Sequence, residues 1–336
     1  MIYEQVGFYH MKFMDVQTEK GIISMSKIVM GTDYFGVNIP EDTAFALLDK
    51  YIALGGNTID TARVYGKAPA PDPDEAYANS EPIVGRWLTS RGCRDKIFLV
   101  TKGAHPSMKD MNCRRLDRAS IDSDVAMSLH ELNTDYIDLY FLHRDDPSQP
   151  VEEIIDTLDA HVKGGRLRAI GASNWTVSRI NEANAYAKAH GKTPFTASQI
   201  HWCAAQVPQG FWDDPSIQVM SPEAYQGYME NQIPVMAFSS QARGYFSKLL
   251  AGEALPVKRM NRYDIPENRR RLESIRSLCE ETKAPASALM LAYVTSSQPV
   301  QGAAIIGCSQ LRQLEETMSY ADLTLTESQR AKMRGE

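Results

Sequence analysis

The chain has 336 residues, 43% hydrophobic and 23% charged, with 36 Lys plus Arg against 42 Asp plus Glu and a formal charge of −6. That composition is ordinary for a folded globular protein and excludes a disordered one. The acidic balance argues against a nucleic-acid surface, which needs a concentrated basic face. No apolar run approaches the ~20 residues of a membrane span, and Met1 to Met14 lacks a signal-peptide core, so a cytoplasmic protein off the membrane is expected. Five cysteines (Cys93, Cys113, Cys203, Cys279, Cys308) are scattered without C-x-x-C spacing. Neither a disulfide framework nor a bound metal is expected from them.

In chain order, residues 11–24 carry Thr18-Glu-Lys-Gly21 between short mixed runs and predict a β-hairpin, lying across one end of the main fold. Ser26 to Met30, closed by Gly31-Thr32, is the first core strand. Glu41 to Leu54 has helical spacing at Ala44, Leu47, Leu48 and Tyr51. Gly55 and Gly56 turn the chain with positive φ, and Asn57-Thr58-Ile59 is a brief strand aimed at Asp60. Helices at 80–90, 115–132, 151–163 and 177–190 alternate with strands at 97–102, 136–142, 167–171 and 196–200. A helix at 222–230, a strand at 234–238, helices at 269–282 and 286–294, a strand at 303–306 and a helix at 310–318 complete the alternation.

Eight short strands alternating with helices predict parallel β/α units. A (β/α)8 TIM barrel is preferred to a doubly wound sheet, because chemically interesting residues follow several different strands. No Gly-x-Gly-x-x-Gly turn follows the first strand. Residues 1–336 are read as one barrel domain, with an N-terminal β-hairpin and extended strand–helix loops at 67–79 and 243–268. The 67–79 stretch is Pro-rich and acidic and borders the pocket or a subunit contact. Oligomeric state stays open.

The residues at the strand ends are the ones that carry chemistry. Asp60, Lys102 and His143 close three strands, and Tyr65 stands in the loop after the first of these. Hydride arriving at a carbonyl leaves negative charge on oxygen, so a site must supply a proton or a strong hydrogen bond. A free phenol, with a pKa of roughly 10, holds its proton too tightly for easy exchange. An adjacent ammonium such as Lys102 is expected to lower that value, with Asp60 pairing to hold the lysine. His143 would donate to the substrate oxygen or shuttle the proton. Taken singly, a strand-end Asp is more often a turn residue and a Tyr more often packing.

The ordered set resembles the aldo-keto reductase family from about Ile28 to about Thr317. The resemblance rests on Gly-Gly-Asn-Thr-Ile-Asp-Thr-Ala-x-x-Tyr-Gly at 55–66, Thr-Lys-Gly at 101–103 and Leu-His at 142–143. Gly-Ala-Ser-Asn-Trp at 171–175 and Gln199 followed by Trp202 extend it. It implies a barrel binding an extended nicotinamide cofactor, and reduction of an aldehyde, ketone or sugar carbonyl with Tyr65 as proton donor. Some relatives, on the potassium-channel beta-subunit-like branch, bind NADPH tightly as redox-sensing regulatory subunits, which is the second reading. A lyase using Lys102 as a Schiff-base amine is the third, and Asp60 pairing disfavours it.

The resemblance also distributes the cofactor. Gly31, Thr32 and Asp60 lie at the first strand ends, while Ser173, Asn174 and Gln199 suit the carboxamide and Trp202 offers a face for the nicotinamide ring. Phe238, Ser239, Ser240, Gln241, Ala242, Arg243 and Gly244 match where the family wraps the pyrophosphate. Gly307 and Ser309 open a helix suited to an anion, and Gln313 and Glu316 match adenosine contacts. Departures are Ser239-Ser240-Gln241 in place of Ser-Pro-Leu, Thr317 in place of Asn, and the absence of Lys or Arg at 308–310. Lys258, Arg259 and Arg262 in the long loop stand in for that grip. NADPH is the expected cofactor, with NADH kept open. Tyr34, Phe35, Trp175, Phe211 and Trp212, with Tyr65 and His143, form the expected substrate rim, able to stack on a sugar or an aromatic carbonyl compound.

Overall fold

In a computed structural model, residues 10–208, 210–255 and 262–336 are described. Eight parallel strands close into a barrel in the order β10-β3-β4-β5-β6-β7-β8-β9. They are β3 (Ile28–Gly31), β4 (Thr58–Asp60), β5 (Phe98–Gly103), β6 (Leu139–Leu142), β7 (Ile170–Ser173), β8 (Phe195–His201), β9 (Val235–Phe238) and β10 (Gly302–Ile306). Helices follow the strands around the outside. They are α1 (Glu41–Ala53), α2 (Ser80–Arg91), α3 (Arg118–Glu131), α4 (Val151–Lys163), α5 (Val177–Ala189), α6 (Pro222–Glu230), α7 (Tyr245–Leu250), α8 (Pro266–Thr282), α9 (Ala286–Thr295), α10 (Leu311–Met318) and α11 (Glu327–Arg334). Among the described residues no helix is long and apolar enough to cross a membrane.

Period-2 alternation divides the strands between two cores. Val29, Phe98, Val100, Leu139, Phe141, Ala197, Met236 and Ala303 fill the lumen. Their neighbours Ile59, Leu99, Tyr140, Leu142, Ile200 and Val235 face the helices. The hairpin β1 (Phe13–Thr18) and β2 (Gly21–Ser26) turns at the expected Thr18–Gly21 and plugs one end of the lumen with Met14, Val16 and Met25. That end is held by charge as well. Asp138, buried just before β6, accepts from Arg94 Nη2 and the Leu99 N–H through Oδ2 and from Arg168 Nη1 through Oδ1. The two guanidinium groups sandwich the Tyr136 ring at 3.9 and 3.7 Å.

Several expected boundaries move for local reasons. Asp117 caps α3 by accepting from the Ser120 N–H, so the helix starts at Arg118 and leaves Arg115 in the loop. The expected strand at 167–171 touches its neighbour first at an isolated Ile137–Leu167 bridge, and its ladder begins at Ile170. Gly55 takes a φ of +89°, whereas Gly56 is required for a different reason: a Cβ there would lie 2.2 Å from the Tyr51 ring. Helix α7 occupies part of the stretch read as loop, and α11 adds a helix beyond the expected set. Helix α7 has 6 residues, too few for a periodic pattern to be legible, and α11, with 8, buries only Arg330 and Met333.

Asp138 sits at the end of the barrel opposite the strand C-termini. Asp138→Ala should cost about 2–3 kcal/mol by stranding two arginines and a strand N–H. Urea denaturation reads that loss, while turnover at a permissive temperature stays at the wild-type value. A parallel loss of turnover would show that the two ends are coupled.

Candidate active site

At the other end, alternation brings inward residues near the strand C-termini to one mouth. Asp60 ends β4, Lys102 lies on β5, and His143 follows β6. Ser173 ends β7, Gln199 lies on β8, and Phe238 ends β9. Lys102 Nζ donates to Asp60 Oδ2 at 2.7 Å and to the Thr61 carbonyl at 2.8 Å, with the lysine fully buried. Asp60 Oδ1 accepts from Gln199 Nε2 at 3.0 Å. Strands β4 and β8 are diametrically opposed in the barrel order, so this bond spans the lumen.

Tyr65 covers the ion pair, its ring centroid 4.5 Å from Lys102 Nζ and 5.8 Å from the His143 ring. Its backbone is clamped. The Gly66 N–H donates to the Asp33 carbonyl, and the Ser80 N–H, opening α2, donates to the Tyr65 carbonyl. Gly66 has a φ of +71°, and a Cβ there would sit 2.3 Å from the Phe35 carbonyl oxygen. No other residue fits that turn without moving Tyr65.

Burial dominates the electrostatics. It pushes the Tyr65 phenol well above 10.0, with Asp60 and Asp33 adding to the rise. The expectation of a lowered phenol is therefore corrected: loss of solvent dominates, and the Asp60 and Asp33 carboxylates add to it. Burial also lowers Lys102 from 10.5, opposed by Asp60. His143 is pushed well below 6.5 by burial, then by His105, Arg144 and Lys102. The imidazole is neutral, and its Nδ1 is buried without a protein partner.

The expected cofactor residues divide. Ser173 and Asn174 meet beside His143: Asn174 Nδ2 donates to Ser173 Oγ at 3.0 Å, and Asn174 itself takes a φ of +59°. After β9, Ser239, Ala242, Arg243 and Gly244 all take left-handed φ values between +48° and +80°. Such a concentration of unfavourable backbone at a strand C-terminus makes concavities of N–H groups suited to anions. Arg243 Nε is buried there with no partner among the described residues. Ser240 Oγ donates to the Ile305 carbonyl and Gln241 Nε2 to the Ser287 carbonyl, at 2.8 and 3.4 Å, tying the turn to its neighbours. Gly31 lies beside β10, near Ile305 and Ile306, and the Thr32 hydroxyl is engaged with the Asp60 carbonyl and Ser80. Thr32 is fully buried and offers nothing to a ligand. Gln313 Oε1 accepts from the Ser309 N–H at 3.0 Å at the start of α10, and Gly307 and Glu316 lie exposed beside it.

Four aromatic expectations are overturned. Trp202 alternates outward from Gln199 and His201, and its ring meets Tyr225 of α6 and Tyr293 of α9 at 6.1 and 6.5 Å. It packs the helix layer and cannot stack on a ring at the mouth. Phe238 holds the inward position instead, 5.7 Å from His201 and 6.0 Å from Trp212. Trp175 is 1% exposed, packed on Phe195 and under Arg179, and is no part of a rim. Phe35 and Phe211 are likewise buried, Phe211 4.5 Å from Tyr263, while Tyr34 stays on the rim at 45% exposure. Arg262 is held by Asp213 at 2.8 and 3.0 Å, which removes it as a free phosphate partner. Lys258 and Arg259 lie outside the described residues.

Three further residues at the mouth escape a reading of the sequence. His105 packs edge-on against His143 at 4.8 Å. Arg144 Nε donates to Asp214 Oδ2 at 3.0 Å. His201 Nε2 is 2.9 Å from the Tyr263 hydroxyl. His105 and Arg144 follow strand ends closely in sequence, and His201 has the same parity as Gln199; those are the available signals.

The profile described as Aldo/keto reductase family matches residues 27–335. The chain belongs to that family. Its relatives include norsolorinic acid reductase stcV of Emericella nidulans, 28% identical over 325 residues, covering 91% of this chain and 77% of the relative. The uncharacterized oxidoreductase YrpG of Bacillus subtilis is 28% identical over 314 residues, 90% of this chain and 89% of its own. Aldo-keto reductase str7 of Strobilurus tenacellus is 27% identical over 331 residues, 94% and 88% of the two chains. Family membership makes the chain an oxidoreductase of carbonyl compounds, a family that generally uses nicotinamide cofactors.

The buried pair makes a direct stability prediction. Lys102→Met leaves Asp60 uncompensated and should cost about 3–5 kcal/mol in urea denaturation. Adding Asp60→Leu should restore part of it. A single-variant loss below about 1 kcal/mol would mean the pair does not hold the mouth together.

Proposed function

We propose that this protein reduces an aldehyde or ketone to an alcohol with a reduced nicotinamide dinucleotide, Tyr65 donating the proton. The observation that carries the reading is Tyr65 lying over the Lys102 ammonium and beside His143 at one mouth. The residues present fit the cofactor. The left-handed turn 239–244 and the buried Arg243 Nε suit the pyrophosphate. Ser173, Asn174 and Gln199 suit the carboxamide, and Phe238 offers the flat face. NADPH is taken as the cofactor on the strength of the family resemblance. When bound, the reduced nicotinamide supplies the hydride.

The chain's own groups handle the oxygen. The His143 imidazole, kept neutral by burial, donates a hydrogen bond that orients the carbonyl without adding a full charge. Tyr65 keeps its proton through neutral pH and hands it to the oxygen only as negative charge develops there, since an alkoxide is more basic than a phenolate. Lys102, held by Asp60 and Thr61, stabilises the phenolate left behind. Its stabilisation is realised late, when Tyr65 becomes charged, which is where it lowers a barrier.

Tyr65→Phe should lower kcat for carbonyl reduction by at least about 100-fold, followed by nicotinamide absorbance with NADPH and with NADH. Cofactor affinity, read by fluorescence quenching, should stay within a factor of about 3. Retained turnover would remove Tyr65 as the acid.

The pH profile tests the electrostatics. His143 is neutral above its lowered pKa and Tyr65 is protonated below its raised one, so log kcat/KM should show no inflection at the ordinary histidine value of 6.5. An alkaline loss below 10 would belong to Lys102, the group whose value burial lowers from 10.5. An inflection near 6.5 would mean a solvated His143.

A further inference from the structure

The loop after β5 is built with more care than a connection needs, and its product is one imidazole. Gly103 cannot carry a side chain, because a Cβ would lie 1.9 Å from the Tyr140 hydroxyl. Ala104 turns left-handed at φ +55°, and its N–H donates to Asp124 Oδ2 of α3 at 2.7 Å. Arg115 grips Asp124 through both carboxylate oxygens, at 2.8 and 3.0 Å, and reaches the His105 carbonyl at 3.3 Å. The His105 ring is then fixed by its own Nδ1, 2.8 Å from the Pro106 carbonyl. A carbonyl oxygen only accepts, so Nδ1 carries the hydrogen and Nε2 of the neutral ring carries a lone pair. Burial and the Arg144 guanidinium push His105 down to about 4, which keeps that lone pair available at neutral pH.

The ring is 7% exposed and lies 4.8 Å, centroid to centroid, from His143. Two imidazoles that close can meet two polar atoms of one small molecule. The vicinal oxygens of a hydroxy-carbonyl compound are such a pair. His143 and Tyr65 supply donors, and His105 supplies an acceptor. Arg144 beside them is already partnered by Asp214 and the His143 carbonyl, so it does not make the mouth an anion site.

We propose that His105 is a specificity-determining residue whose Nε2 accepts a hydrogen bond from a hydroxyl on the carbon next to the substrate carbonyl, so that the protein selects α-hydroxy carbonyl compounds. This rests on the reductase reading above. A polar group built to meet a hydroxyl is left unpaired by an analogue without one, which is how such sites discriminate.

The test pairs hydroxyacetone with methoxyacetone, which keeps the electron-withdrawing oxygen and loses the donor hydrogen. Wild-type protein should favour hydroxyacetone by at least about 10-fold in kcat/KM, and His105→Phe, which keeps an aromatic edge against His143, should bring the ratio near 1. His105→Gln, which restores an acceptor, should recover part of the preference. A wild-type ratio near 1 overturns the inference without any variant, as does a ratio unchanged in His105→Phe. No nicotinamide oxidation with either ketone or with an activated aldehyde overturns the reductase reading itself, and the inference with it.

Discussion

The contact between Asp60 and Lys102 is the constraint on which the mouth of the barrel depends. A lysine with no exposure is expensive in isolation, and its partner carboxylate is nearly as buried. What makes the pair tolerable is that each polar atom is satisfied in a different direction. Lys102 reaches Asp60 and the Thr61 carbonyl on the neighbouring strand, and Asp60 reaches Gln199 across the lumen. Strand tips on opposite sides are therefore tied through one carboxylate. The arrangement leaves the ammonium a single unbonded flank, and Tyr65 occupies it with its ring.

The same burial that makes the pair costly sets the character of everything near it. Tyr65 is held protonated, while His143 and His105 are held neutral. A mouth lined by neutral polar groups suits an uncharged polar ligand, which could enter without first shedding counterions or protons. The charges that remain, Arg144 with Asp214 and Lys102 with Asp60, are paired among themselves. On the mechanism proposed above, charge enters the cycle only when negative charge develops on the substrate oxygen and then passes to the phenol.

Most of the barrel is legible in the sequence because it follows from periods. Eight short apolar runs between helical patterns have few arrangements available, and the helices at 151–163 and 222–230 fall where their patterns place them. That Asp60, Tyr65, Lys102 and His143 meet at one mouth is legible from motif order. What is not legible depends on the parity of a side chain within its strand or on the net field of a pair. Trp202 offers a flat ring, yet counting by twos from Gln199 turns it to the helices. Trp175 follows a left-handed Asn174, which swings it under Arg179 rather than into the mouth. A lowered phenol pKa follows from Lys102 alone only when the solvent loss that outweighs it is left out.

The β9 end shows how a departure from the family sequence is absorbed. Ser-Pro-Leu is replaced by Ser239-Ser240-Gln241, which removes a proline that would have preset the backbone. Here side chains hold the turn instead: Ser240 is anchored to Ile305 on β10 and Gln241 to Ser287 in α9. The left-handed residues around them then have no freedom to relax, and strain of order 1–3 kcal/mol per residue is carried by the strands and helix on either side. Behind this turn, His201 meets the Tyr263 hydroxyl, so the segment entering α8 is pinned to the inside of β8. The turn after β9 and the aromatic wall of the mouth thus share one support, a histidine whose parity on its strand is that of Gln199.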